Sequence, residues 1–448
     1  MKILFISLGC DKNLVDSEVM LGLLTKNGYT LTDDETQADV IVINTCCFIH
    51  DAKEESINTI LEMAQYKEQN LKALVVAGCL AERYKDEILK EIPEIDAVLG
   101  TTSYDSIVEA VNTALEENTG EHFEHYESID YLPDNSEVER VVTTGNHMAY
   151  LKIAEGCDKR CSYCIIPKIR GRFRSVPMQE LLNEAKRLAS EGVKELVLVA
   201  QETTLYGKDL TGEKQLPLLL HELCKIEGIE WIRLLYCYPE EITDELIEAI
   251  KTEEKVCNYI DMPIQHSENR ILQRMGRRTS REDLVAVIKK LRKEIPDITI
   301  RTTLITGFPG ESQEDHEGLM NFVEECQFDR LGVFTYSPEE DTLAATFEDQ
   351  IDEEVKEERR DELMSLQQEI SYEHTQQLVG KTIKVMVEGY LFEDDIYVGR
   401  SYMDAPKVDG CVFINSPEEL MTGDFVYVKI TQGREYDVIG EVDYEFTK

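Results

Sequence analysis

The chain predicts an α/β protein in three blocks: an N-terminal doubly wound parallel sheet, a central open (β/α)6 barrel, and a small C-terminal antiparallel β-barrel. Three observations carry this. Short, β-rich apolar runs alternate with helix-compatible stretches over residues 1–100 and again from about 143 to 372, the pattern of parallel sheets with helical crossovers. The central block holds six such units, which suits an open sheet better than the closed eight-fold barrel. From about Thr375 the pattern changes to short alternating runs split by Gly389, Gly410 and Gly423.

In the first block, Ile3–Leu8, Val40–Asn44 and Leu74–Gly78 read as strands. A cysteine follows each almost at once: Cys10, Cys46 and Cys79. Carboxyl ends of parallel strands share one edge, where ligands bind, so three thiols remote in sequence would converge there. On the residues alone, a metal site and a coincidence of positions both stay open; Cys47 is expected to face into packing. The first domain is placed at 1–117. Residues 118–142 are acidic and weakly patterned and read as a linker.

The central block, placed at 143–373, predicts strands at Ala149–Ala154, Glu195–Ala200, Ile232–Tyr236, Tyr259–Pro263, Ile298–Ile305 and Arg330–Tyr336. Chemistry in such folds sits at the strands' C-terminal ends. Found there are a cysteine loop, Gln201-Glu202, Tyr238-Pro239, Gln265-His266, the run Gly307–Glu311, and Tyr336-Ser337. Glu202, Gln265 and Gly307 are the cofactor-binding candidates, although each residue type also suits a turn or a packed position. Gly307 would let the backbone approach a cofactor closely, and His266 reads as a structural histidine. Residues 348–374, densely charged with apolar positions at helical spacing, read as a solvated helix closing the barrel. The last block, at 375–445, predicts strands at Ile383–Glu388, Ile396–Ser401, Cys411–Ile414 and Phe425–Thr431.

The cysteine loop carries Cys157, Cys161 and Cys164. Thiolates three and then two residues apart can wrap one face of a metal centre, yet a closed structural site takes four protein ligands. A zinc knuckle or three packed thiols would account for the run; a 4Fe–4S cluster with one iron left free for a substrate or cofactor accounts for the missing ligand as well. Twelve cysteines without an export signal point to a reducing cytoplasm rather than a disulfide scaffold. No run approaches the roughly 20 apolar residues that span a bilayer, so no membrane partner is expected.

Taken together, the two trios, in this order and ahead of a small β-domain, resemble the methylthiotransferase family of radical-SAM enzymes, and the resemblance covers nearly the whole chain. It implies 4Fe–4S ligation by Cys10, Cys46 and Cys79 and, for a second cluster, by Cys157, Cys161 and Cys164. It makes the middle block a radical-SAM core using S-adenosylmethionine and the last block a TRAM domain that holds the macromolecular substrate. Gly9-Cys10-Asp11-Lys12-Asn13-Leu14-Val15-Asp16-Ser17-Glu18 resembles the branch that modifies a ribosomal protein, except that Asp11 stands where that branch has proline. Cys164-Ile165-Ile166-Pro167 with Arg170-Gly171, Gly399-Arg400-Ser401, Asp404-Ala405-Pro406 and Asp409-Gly410 resemble the same branch. Its implied reaction adds sulfur and methyl at the β-carbon of an aspartate in small-subunit ribosomal protein twelve. That C–H bond is unactivated, so the resemblance implies a 5′-deoxyadenosyl radical, a second S-adenosylmethionine as methyl donor, and an electron donor as partner.

The alternatives are the tRNA (N6-isopentenyladenosine) methylthiotransferase of the sister branch, a non-catalytic iron–sulfur electron carrier, and a zinc-binding interaction protein. Charge separates the ribosomal-protein reading from the tRNA reading. The chain holds 89 acidic against 47 basic residues, a net of −42. Residues 1–142 hold twenty-nine acidic against ten basic, and residues 375–448 fourteen against seven. Such a surface repels phosphate and attracts a basic ribosomal protein, so nucleic acid is not expected as the direct substrate. Basic residues do gather at Lys159, Arg160, Lys168, Arg170, Arg172 and Arg174 and at Arg274, Arg277, Arg278 and Arg281. They read as holding a cofactor carboxylate, offsetting nearby acids, or lying on helices.

Overall fold

The computed structural model describes residues 1–116, 122–136 and 138–445. Its first sheet is wholly parallel and contains β1 (Lys2–Ser7), β2 (Thr30–Leu31), β3 (Val40–Thr45), β4 (Ala73–Gly78), β5 (Ala97–Leu99) and β6 (Phe123–His125), in the order β2-β1-β3-β4-β5-β6. Alternate residues serve opposite faces. Ile3, Val40, Val42 and Val75 pack with Val19, Met20 and Leu24 of the helix Asp11–Lys26, while Leu4, Ile41, Ile43 and Val76 pack with Ile60, Met63 and Leu80. Both faces are therefore apolar, and the strands read as continuous hydrophobic runs. Chain order reverses between β1 and β3, a topological switch point.

The expected linker is only partly one. Phe123–His125 pairs with β5 as the sixth strand, because a sheet edge offers unpaired backbone groups that even a polar, weakly patterned segment can satisfy. Further on, Arg140 is buried between Glu18 at 3.2 Å and Glu184 at 2.8 Å. Residues 117–121 and 137 of the linker region lie outside the described residues.

The central sheet is six-stranded, parallel and open. It contains β7 (Met148–Lys152), β10 (Glu195–Val199), β11 (Trp231–Leu234), β12 (Val256–Asp261), β13 (Thr299–Thr306) and β14 (Arg330–Thr335), in the order β14-β13-β12-β11-β10-β7. A two-stranded ribbon, β8 (Ala154–Glu155) with β9 (Arg174–Ser175), frames the cysteine loop. Leu196, Leu198, Ile232, Leu234 and Ile260 lie under the outer helices. The other face packs Val197, Val199, Trp231 and Tyr259 against Val15 of the first domain and Met386 and Ala405 of the last, with Phe425 edge-on to Trp231 at 4.8 Å. The neighbouring domains thus fill the concavity that an incomplete barrel leaves open.

The helix Glu353–Gln376 runs along β14 and leads into the last domain, burying Lys356, Arg359, Leu363, Gln367 and Ile370. That domain is a closed barrel of β15 (Thr382–Leu391), β16 (Ile396–Ser401), β17 (Val412–Asn415), β18 (Phe425–Gly433) and β19 (Val438–Val442). The fifth strand escapes the sequence pattern, and β17 pairs with β19 in parallel while the other pairings are antiparallel. Among the described residues no helix is long and apolar enough to cross a membrane.

Candidate metal and cofactor site

Cys10 follows β1, Cys46 follows β3 and Cys79 follows β4, so the first trio stands at the switch point of the first sheet. Cys10 is the N-cap residue of the helix Asp11–Lys26, with no side-chain cap bond of its own. Gly9 has φ +86°, and a Cβ there would lie 2.6 Å from Cys46 Cβ and 2.8 Å from its Sγ. Only glycine lets the Cys10 turn close over Cys46. Burial pushes the Cys46 thiol up, and neighbouring Cys10 adds to the shift. Burial likewise raises Cys79 well above the ordinary thiol range, with Arg170 opposing and Cys46 and Cys10 adding. Cys47 is fully buried in the apolar core beside β4, as packing requires.

The second trio lies on the loop between β8 and β9. Cys157 and Cys161 are buried and Cys164 half-buried. Burial pushes Cys157 up to about 12, with Glu202 and Cys161 adding; Cys164 is raised by burial, then by Cys161. The loop is fixed by Cys157 N–H to Gly171 O at 3.1 Å and Ser162 N–H to Met275 O at 2.9 Å. The Tyr238 hydroxyl stands 3.9 Å from Cys161 Sγ, and Arg277 stacks 4.4 Å over the Tyr238 ring. A small cavity of about 50 Å³ opens beside Cys161, lined by Lys159, Arg160, Tyr238, Glu240, Arg277 and Arg278.

Among the described residues no three His, Cys, Asp or Glu side chains are placed to hold a single metal ion. One ion would draw sulfurs to about 2.3 Å from a common point. A 4Fe–4S cluster instead takes its thiolates on different irons, and two all-thiol trios, buried or half-buried except for the exposed Cys10, fit that donor chemistry.

Of the cofactor candidates, Glu202 is the best placed. It is fully buried and its Oε1 accepts from Thr204 N–H at 3.0 Å, while Oε2 has no partner. Burial pushes its carboxyl up to about 7, with Thr204 and Lys159 opposing. Gln265 follows β12 with φ +72°, a left-handed conformation uncommon for a residue with a side chain. Gly307, with φ +68°, is occupied differently. Its missing side chain makes room for the Lys356 stem, which a Cβ would meet at 2.3 Å. His266 is fully buried, its Nδ1 accepting from Glu268 N–H at 3.0 Å, with Glu311 3.6 Å from Nε2.

The basic cluster divides. Lys159 pairs with Glu240 and Glu241, Arg274 with Asp349, and Arg281 with Glu268. Arg160, Arg172 and Arg278 are exposed. Arg170 differs from all of these, being 2% exposed and reaching Cys79 of the other domain. Two further contacts join the trios' surroundings. Tyr236, after β11, donates to Asp11 Oδ1 at 3.0 Å and carries Lys12 3.4 Å over its ring. Lys152, ending β7, bonds Asp16 and Glu155. Sequence reasoning passed over Asp16, Lys152 and Glu155; a lysine ending an otherwise apolar strand was the signal that a buried partner existed.

Comparison with known proteins agrees with this architecture. Residues 2–100 match the Uncharacterized protein family UPF0004, 151–323 the Radical SAM superfamily and 379–442 the TRAM domain. The chain is 62% identical over 444 residues to a Lachnoclostridium phytofermentans protein named ribosomal protein uS12 methylthiotransferase RimO, covering 99% of this chain and 100% of that one. This chain belongs to the RimO family of radical-SAM methylthiotransferases. RimO proteins of Acetivibrio thermocellus (51% identical; 100% of this chain, 99% of the relative) and Clostridioides difficile (50%; 99% of each) match over their full length too. Among solved structures, the radical S-adenosylmethionine methyltransferase TsrM of Kitasatospora setae superposes with TM-score 0.56 at 14% identity, covering 85% of this chain and 78% of that one. This chain shares its fold with that enzyme. Membership in the radical-SAM superfamily carries with it a 4Fe–4S cluster and S-adenosylmethionine.

Proposed function

We propose that this enzyme adds a methylthio group to the β-carbon of an aspartate in ribosomal protein uS12, using two 4Fe–4S clusters and two S-adenosylmethionine molecules in the cytoplasm. The observation that carries the reading is the contact between the two thiol neighbourhoods, Arg170 of the second loop on Cys79 of the first trio. The names of the full-length relatives support the choice of substrate.

Cys157, Cys161 and Cys164 would hold the cluster that meets S-adenosylmethionine, and Cys10, Cys46 and Cys79 the cluster that meets sulfur. When bound, these groups supply one-electron cleavage, hydrogen abstraction from carbon, and sulfur and methyl delivery, none of which side-chain acids and bases can perform. The protein contributes position and exclusion of water. Glu202 offers its unpartnered Oε2 to the ammonium of S-adenosylmethionine, near Cys157. Tyr238 and Arg277 wall the Cys161 side. The acidic last domain, fourteen carboxylates against seven basic groups over 375–448, draws a basic ribosomal protein and repels tRNA. An external one-electron donor completes the reaction.

Mass spectrometry of uS12 from cells with and without this gene tests the assignment. The expected result is loss of one methylthio group from an aspartate when the gene is absent. An unchanged uS12, together with loss of methylthio from tRNA adenosine, overturns it.

A further inference from the structure

We propose that Arg170 is a positioning residue that holds Cys79 by its sulfur and ties it to the second thiol loop, setting both the place and the reduction potential of the first cluster. The inference rests on the reading of Cys10, Cys46 and Cys79 as cluster ligands.

The guanidinium is committed on both of its arms. NH1 donates to Asp16 Oδ2 at 2.8 Å and to Glu155 Oε2 at 3.1 Å. NH2 donates to Asn13 Oδ1 and to Cys79 Sγ, the latter at 3.4 Å. Its own backbone is pinned, with N–H on Ile166 O at 2.8 Å and its carbonyl taking two bonds from Arg174 at 3.2 and 3.3 Å. Glu155 carries the link onward. Its Oε1 accepts from Gln201 Nε2 at 2.6 Å and from Gly156 N–H at 3.3 Å, and that amide also donates to Gln201 Oε1 at 2.9 Å. Gly156 precedes Cys157. A buried polar path therefore runs Cys79, Arg170, Glu155, Gly156, Cys157.

Charge bookkeeping separates this from an ordinary buried ion pair. Lys152 contacts both Asp16 and Glu155, so two cations face two carboxylates and the group is already neutral. A purely structural arginine would need no sulfur contact. Once Cys79 is a thiolate, a cationic N–H on its sulfur favours the more negative, reduced form of a cluster, and hydrogen bonds to sulfur are among the determinants of cluster potential. Lysine can supply the charge but not the planar fork that meets sulfur, amide and two carboxylates together.

The test uses the full-length chain with Cys157, Cys161 and Cys164 all changed to Ala, reconstituted with iron and sulfide so that only the first cluster is observed. With 15N-guanidino-labelled arginine, electron spin-echo spectra of the reduced cluster are expected to show a weak 15N coupling that Arg170→Lys abolishes. Arg170→Gln is expected to shift the midpoint potential to a more negative value, and Arg170→Lys to restore most of that shift without restoring the coupling. An absent coupling, one that survives in Arg170→Lys, or an unshifted potential in Arg170→Gln overturns the proposal. Should the glutamine variant not fold, the coupling in the chain that retains Arg170 still decides. Iron bound without coupling overturns the role of Arg170 alone; failure of the trio to bind iron overturns both this and the reading beneath it.

Discussion

Glu202 is a buried group whose proposed binding role would come at a cost to the fold. Its carboxyl, raised by burial from 4.5 to about 7, resists the charge it would take in water. The sign follows from linkage. A raised folded-state value means that Glu202 leaves stability intact below pH 4.5 and erodes it as pH climbs through 7. Glu202→Gln in the metal-free chain should therefore match the parent near pH 4.5 and exceed it by up to roughly 3 kcal/mol above pH 7, read from denaturant unfolding at the two pH values. The same substitution should weaken S-adenosylmethionine binding, since the amide presents no charge to the ammonium. A residue that destabilises the empty protein and strengthens ligand binding is what a binding site requires.

Among the elements, the junction of the central sheet with the last barrel depends on a buried charge network. Glu195, at the start of β10, accepts from Arg233 Nε at 2.8 Å and Arg400 NH2 at 2.6 Å. Arg233 also donates to Tyr402 O at 2.6 Å, and Tyr259 to Asp409 Oδ2 at 2.7 Å. Burial alone would raise Glu195, yet Arg400 and Arg233 hold it at about 2. Its contribution is therefore present above pH 4.5 and lost as pH falls toward 2. Glu195→Gln removes the shared counter-charge of two buried guanidiniums and should cost roughly 3–5 kcal/mol at pH 7. Urea unfolding checks this, and the gap from the parent should narrow on acidification. Such a junction fixes the last barrel against the central sheet.

At the scale of the whole molecule, three domains meet on one open sheet. The helix Asp11–Lys26 and the last barrel fill its concave face, and the first trio's helix reaches Lys152 and Tyr236 at or just beyond the ends of β7 and β11. The proposed function expects the two thiol sets to do separable work. Cys161→Ala should abolish 5′-deoxyadenosine formation from S-adenosylmethionine under reducing conditions. Cys46→Ala should abolish methylthiolation while leaving some abortive cleavage. Chromatography for 5′-deoxyadenosine and mass spectrometry of the product distinguish the two. Reconstituted iron should be about eight per chain in the parent and about four in either variant. Full methylthiolation by both variants would refute the division of labour.

Most strand positions and the six-unit open sheet were legible in the sequence because they depend on local pattern, apolar periodicity marking a strand, and the spacing of Cys157, Cys161 and Cys164 on a single loop was local too; Cys10, Cys46 and Cys79 are remote in sequence and were grouped by their places at strand ends and by family resemblance. The strands Phe123–His125 and Val438–Val442 were not, since each forms only by completing an edge that distant residues supply. Gly307 was read as room for a cofactor, whereas the fold gives that room to Lys356. Arg170 was visible as one basic residue among several. Its pairing with Asp16 and Glu155 is the offsetting of nearby acids that the sequence allowed, but only the packing of one domain on another brings it onto Cys79, because a guanidinium's role is set by what surrounds it in space. Sequence by itself determined which chemistry the chain carries; tertiary structure decided which groups bring its two halves together.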